Sequence, residues 1–91
     1  MPPHETNAEA AATLALGALG WMLADSERTR RFLDVTGITP DILRARANAP
    51  AFLAAMIGYL ENFEPDLIAC AEAVGVGPEE LTRARRVLEQ R

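Results

Sequence analysis

Lysine is missing from this 91-residue chain, and its nine basic residues are all arginines. Thirteen aspartates and glutamates outnumber them, which gives a net charge of −4. A protein of this charge lacks the basic surface that attracts nucleic-acid phosphates or the headgroups of anionic membranes. We therefore expect no membrane partner, and nucleic-acid binding enters below only as an alternative.

Cysteine and histidine each occur once, as Cys70 and His4. One cysteine cannot form an internal disulfide, and the two residues do not make a ligand set for structural zinc. His4 follows two prolines in residues 1–6, which we predict to be a disordered tail, whereas a general base must be held in fixed geometry. Cys70 shares a predicted helix face with Leu67 and Val74, so we expect a buried thiol with a raised pKa. We predict no catalytic residue, no metal site, no cofactor and no enzymatic activity.

Long hydrophobic runs are also scarce. The longest, from Ala10 to Ala24, is interrupted by Thr13 and falls short of the roughly 20 apolar residues that span a bilayer. Acidic residues and no basic ones precede it, which is not the pattern of a secretory signal. We expect a cytoplasmic protein.

What the chain does contain is an internal repeat. Residues 37–43 read G-I-T-P-D-I-L and residues 75–81 read G-V-G-P-E-E-L, an offset of 38 positions that also places Trp21 on Tyr59. A fixed period of this size is typical of a repeated supersecondary unit. We predict one domain over residues 7–91, with repeat one at about 12–48 and repeat two at about 50–88.

Start and stop signals divide the chain into six helices. The N-cap candidates are Asn7, Asp25 or Ser26, and Thr39; prolines stand in the first turns at 40, 50, 65 and 78; and Gly37 and Gly75 follow helix ends. No segment shows the sustained alternation of a strand. The sequence predicts an all-α fold, a compact bundle of about six helices built from two tandem three-helix repeats.

The first helix of each predicted repeat is apolar almost all the way round, which indicates burial on most sides. We expect these two helices to pack against each other. Glycine inside a helix is destabilising by about 1 kcal/mol relative to alanine, and close backbone approach is a reason to accept it. We therefore predict that Gly17 with Ala55, and Gly20 with Gly58, form their contact; a kink at one glycine is the alternative.

The helix predicted from Pro50 to about Glu61 carries six large apolar side chains that cannot all face one way. Some of them should reach the surface, and an exposed apolar patch usually marks a contact site. We take Phe52 and Met56 as part of a candidate interaction surface and expect that a homodimer can form there. The sequence does not identify any other protein partner.

One stretch resembles a helix-turn-helix, in which the 67–91 helix pair would offer Arg83, Arg85 and Arg86 to a DNA groove. Any two helices joined by a tight glycine turn give a similar outline. Glu79 and Glu80 at the start of the second helix would face the phosphates, and the chain lacks a basic surface. The same three arginines are therefore candidates for a protein-facing surface.

Three longer segments carry a family resemblance. They are L-G-A-L-G-W-M-L-A-D at 16–25, R-F-L-D-V-T-G at 31–37 and G-P-E-E-L-T-R-A-R at 77–85. Together they resemble a bacterial domain-of-unknown-function family, number 3572, whose members are short alanine- and arginine-rich proteins of alphaproteobacteria. The resemblance implies a small cytosolic protein and carries no catalytic or binding residues. Our first hypothesis is a non-enzymatic protein-interaction or scaffold domain, and the alternative is a helix-turn-helix nucleic-acid-binding protein.

Overall fold

Six α-helices account for most of residues 7–90, the part of the chain that the computed structural model describes. They are α1 (Ala8–Leu23), α2 (Ser26–Thr36), α3 (Pro40–Arg46), α4 (Pro50–Glu61), α5 (Glu64–Val74) and α6 (Pro78–Glu89). No strand occurs in this range. The all-α prediction is therefore confirmed, while the predicted tail at 1–6 and the role of His4 lie outside the described residues.

The helix starts follow the predicted capping chemistry. Asn7 Oδ1 accepts a hydrogen bond from the amide of Ala10 at 2.7 Å, and Asp25 Oδ1 accepts one from the amide of Glu27 at 2.8 Å. Thr39 caps α3 in the same way. These side chains satisfy amide groups that have no partner inside the helix, so the local sequence fixes where each helix begins.

The ends of α2 and α5 depend on glycine. Gly37 has φ of 75° and Gly75 has φ of 82°, both in the left-handed region. The amide of Gly37 donates to the carbonyl of Leu33, and the amide of Val76 donates to that of Ala71. The helix ends predicted at these two glycines are confirmed, and glycine suits them because it adopts the left-handed conformation without a Cβ penalty.

The core lies around α4, the most deeply buried helix. α6 packs extensively on both α4 and α1, and α5 fills the space beside them. The buried side chains of α4 are Phe52, Leu53, Ala54, Met56, Ile57, Tyr59 and Leu60. The inner faces of α6 and α1 cover them with Leu81, Ala84 and Leu88, and with Ala11, Ala15, Ala18, Leu19 and Met22.

Two predictions about α1 are wrong. One side of α1 is open: Leu16 is 40% exposed and Leu23 is 42% exposed. They are exposed because no described helix covers that side. The glycine contact between α1 and α4 is also absent. A Cβ on Gly17 would meet Val74 of α5 at 3.6 Å, one on Gly58 would meet Arg85 of α6, and one on Gly20 would meet nothing within 4 Å.

The two halves of the chain pack differently. α6 lies against α4, whereas α3 makes no extensive contact with any other helix. We call residues 26–46, which comprise α2 and α3, the α2–α3 arm; its only buried hydrophobic side chains are Phe32 and Leu43. The repeat therefore holds for the helix ends and not for the packing, and the duplication stays a prediction about the sequence.

Candidate interaction surface

Arg85, one of the predicted surface arginines, forms ion pairs with acidic residues of the same chain. Its Nε lies 2.8 Å from Glu61 Oε1 at the end of α4, and its Nη1 donates to both carboxylate oxygens of Glu89 at 2.9 and 3.0 Å. The hydrogen bonds to Glu89, together with the negative charge of Glu61, raise the pKa of Arg85. These contacts occupy the side chain in joining α6 to α4.

Arg83 and Arg86 are exposed, as a surface role requires. The exposed positions of α6 also include Glu79, Glu80 and Glu89, so this face carries mixed charge. The described residues show no ion pair between Glu79 and Arg83, although their spacing allows one. The structure thus leaves two of the three proposed arginines accessible, beside a larger number of acids.

Phe52 and Met56 do not belong to any surface. Phe52 is 7% exposed and Met56 is fully buried. Phe32 from α2 packs edge-on against Phe52 at 6.2 Å and against Tyr59 at 5.0 Å between ring centroids. The prediction of an apolar patch on α4 is wrong because α6, α1 and Phe32 together cover the helix on all its apolar sides.

A surface that the sequence predictions missed lies where α1 meets α2. Leu23, Ser26, Thr29, Arg30, Leu33 and Asp34 line a groove of about 400 Å³, the α1–α2 groove. Leu23 is exposed and Leu33 is half-buried, so both offer apolar surface. Arg30 and Asp34 are exposed and bring one charge of each sign. The groove therefore combines apolar side chains with polar ones, and its two charges cancel.

The exposed large hydrophobic residues of the described range are few. Leu16 and Leu23 lie on α1, Val35 on α2, Ile42 on α3 and Ile68 on α5. Single exposed apolar residues are normal, and of these five it is Leu23 that lines the groove.

The corner between α1 and α2 is held by specific contacts. The Arg28 guanidinium lies 3.7 Å from the centre of the Trp21 ring and donates to the carbonyl of Trp21. Thr29 Oγ1 donates to the carbonyl of Met22 at 3.1 Å. Backbone amide donors, chiefly that of Arg28, lower the pKa of Asp25. The groove therefore sits on a corner whose geometry is fixed before any partner arrives.

A larger groove, of about 610 Å³, runs between the start of α4 and the end of α6. Alanines, Pro50, the buried Leu88 and Glu89 line it, and Glu89 is already paired with Arg85. It offers no exposed large apolar side chain. Despite its smaller volume, the α1–α2 groove is the better candidate because anchoring by large apolar side chains contributes most to binding.

Reactive groups are few. No cluster of three or more histidine, cysteine, aspartate or glutamate side chains in residues 7–90 is placed to hold a metal ion. Cys70 is buried, and desolvation raises its pKa to about 11, as the sequence predicts. Over the same range, no helix combines the length and the hydrophobicity needed to cross a membrane.

The sequence does contain a signal for the groove. Ser26, Thr29, Arg30, Leu33 and Asp34 recur at helical spacing on one side of α2 and follow directly after Leu23. The signal was missed because an all-apolar α1 suggests that Leu23 is buried.

Comparison with known proteins identifies the family. The family described as "Protein of unknown function (DUF3572)" matches residues 8–91, so the chain belongs to it. Searches of curated proteins and of solved structures find no match.

Proposed function

We propose that this protein is a small, non-enzymatic protein-interaction or scaffold domain that binds its partner through the α1–α2 groove. The observation that carries the proposal is the groove itself, in which the exposed Leu23 and the half-buried Leu33 lie beside the exposed charges of Arg30 and Asp34.

The sparse packing of the arm supports the same proposal. Of its 21 residues, Phe32 and Leu43 are the buried hydrophobic side chains, and α3 makes no extensive contact with any other helix. An element with so little core of its own gains more than any other from a partner that covers it.

The helix-turn-helix alternative is less well supported. Arg85 is engaged by Glu61 and Glu89, and the remaining arginines of α6 stand among exposed glutamates. Without a basic surface, the sequence-independent part of DNA binding is missing. We also propose a cytoplasmic location, since a single buried cysteine has no need of an oxidising compartment.

A photo-crosslinking experiment in native cells tests the proposal. A benzoylphenylalanine residue at Ser26 lies in the groove, and the same residue at Glu80 lies on the exposed face of α6 as a matched control. We expect discrete adducts from position 26 that position 80 does not give. No adduct from position 26, or the same adducts from both positions, contradicts the proposed function.

A further inference from the structure

We propose that the groove binds a second copy of this chain, so that two copies pair about a two-fold axis with their α2 helices antiparallel. This inference rests on the proposed function and names its partner. It concerns a different surface from the α4 patch that the sequence suggested.

The charges of the groove are self-complementary. Arg30 and Asp34 are exposed, and neither forms an ion pair within the described residues. Within one helix, a basic residue four positions before an acidic one is the weaker order for pairing. In a two-fold interface every contact between two different positions occurs twice. If Arg30 of one copy meets Asp34 of the other, then Asp34 of the first copy also meets Arg30 of the second. Two antiparallel α2 helices pair Arg30 of each copy with Asp34 of the other when the two-fold axis crosses their exposed face midway between these two positions.

The patch also offers apolar contact area with little obstruction. Leu23 and Leu33 supply apolar side chains, while Ser26 and Thr29 between them are short and leave the groove open. Two turns before Leu23, Leu16 lies on the same side of α1, with Gly20 between the two leucines. A Cβ on Gly20 would meet nothing within 4 Å, so the surface between the two leucines is open. A second copy can therefore approach this side of α1 and α2 closely.

The net charge of −4 on each copy does not oppose this pairing strongly. The groove contributes one charge of each sign, and the excess acidic residues lie elsewhere on the surface. At physiological ionic strength, charges more than about 8 Å apart are largely screened. An unrelated amphipathic helix would pack on Leu23 and Leu33 equally well. A second copy of this chain, in contrast, always presents an aspartate to Arg30 and an arginine to Asp34.

A charge-swap experiment on the purified chain tests the inference by sedimentation equilibrium or native mass spectrometry. The wild type should show a species of twice the 9.9 kDa chain mass. Arg30→Asp gives each copy two acids at the interface, four in the dimer, and Asp34→Arg gives each copy two bases. Each variant alone should therefore dimerise at least about tenfold more weakly. Mixing the two variants should restore a dimer that contains one copy of each, and the double variant R30D/D34R should dimerise like the wild type.

Both residues are exposed, so the variants should keep the wild-type circular dichroism spectrum. Arg83→Asp on α6 is the matched control, since it reverses an exposed arginine outside the groove and should leave dimerisation unchanged. A monomeric wild type at all concentrations, or single variants that do not recombine, overturns the inference. If the chain is monomeric while Ser26 still crosslinks to another protein in cells, the proposed function stands and the second copy is the wrong partner.

Discussion

Arg85 and Glu61 form a close ion pair, with 2.8 Å between Nε and Oε1, and this pair ties the end of α4 to α6. Both side chains are less than one-quarter exposed. Glu89, one turn after Arg85, binds the same guanidinium and holds it in place. Arg85 therefore stabilises the most extensive contact between two helices in the described structure.

Replacing Arg85 with Met should destabilise the protein, by about 1 kcal/mol, since partly solvated ion pairs are worth little individually and this one is shared between two carboxylates. Arg83→Met is the control, because Arg83 is exposed and should change stability by less than about 0.5 kcal/mol. Urea unfolding followed by circular dichroism measures both. Equal effects of the two substitutions would show that the ion pair contributes nothing.

Leu81 and Leu43 occupy equivalent positions in the sequence repeat, and both are buried. Leu81 sits in the central core, whereas Leu43 lies in the sparsely packed arm. We expect Leu81→Ala to lower the free energy of unfolding by about 2–5 kcal/mol. The loss caused by Leu43→Ala should lie at or below the lower end of that range. Urea melts should also show that Leu43→Ala loosens the arm first. Similar losses and similar cooperative transitions would contradict the different packing of the two halves.

Helix boundaries were predictable because they depend on neighbouring residues. Asp25, Thr39 and Pro78 act on the first turn that follows them, and Gly37 and Gly75 act on the turn before. Such interactions extend over only a few positions, so the sequence contains all that is needed to find them.

Burial was less predictable because it depends on which helices become neighbours. α1 and α4 are almost equally apolar, yet α4 is covered and α1 leaves Leu16 and Leu23 exposed. The difference arises because α6 packs against α4, whereas α3, the helix at the equivalent place in the first repeat, makes no extensive contact with α1. For this reason Phe52, which was predicted to lie at the surface, is buried, and Leu23, on a helix predicted to be buried on most sides, is exposed.

Substituting Gly37 or Gly75 with Ala tests the helix ends. No atom lies within 4 Å of the added Cβ at either site, so only the left-handed backbone opposes the change. We expect each substitution to cost about 1–2 kcal/mol in thermal or urea unfolding. Gly58→Ala is the matched control: Gly58 is helical, its added Cβ would meet Arg85 at an ordinary 3.8 Å, and stability should rise by about 0.5–1 kcal/mol. If Gly58→Ala lowers the stability as much as Gly37→Ala does, the losses reflect packing of the added methyl group and not strain in a left-handed backbone.

Cys70 should make stability fall at alkaline pH. Burial raises its pKa in the folded state from the ordinary 9.0 to about 11. As the pH rises from 9 to 11, the unfolded thiol loses its proton before the folded one, so the unfolded state binds fewer protons and is favoured. We expect the loss to be about 1–3 kcal/mol over this window, measured as the difference between wild type and Cys70→Ala. The two proteins should have parallel pH profiles below pH 8, and parallel profiles up to pH 11 would contradict a protected thiol.

Duplex DNA should bind weakly or not at all. The exposed face of α6 carries Arg83 and Arg86 beside Glu79, Glu80 and Glu89, so phosphates would meet more repulsive than attractive charges. We expect no binding to random duplex tighter than about 10⁻⁴ M at physiological salt, the weak end of non-specific affinity, in a fluorescence anisotropy titration. The variant R83A/R86A tests the face without disturbing the Arg85 contacts. Micromolar, salt-sensitive binding that this variant abolishes would favour the helix-turn-helix hypothesis, because each lost phosphate contact lowers the salt slope by about one unit.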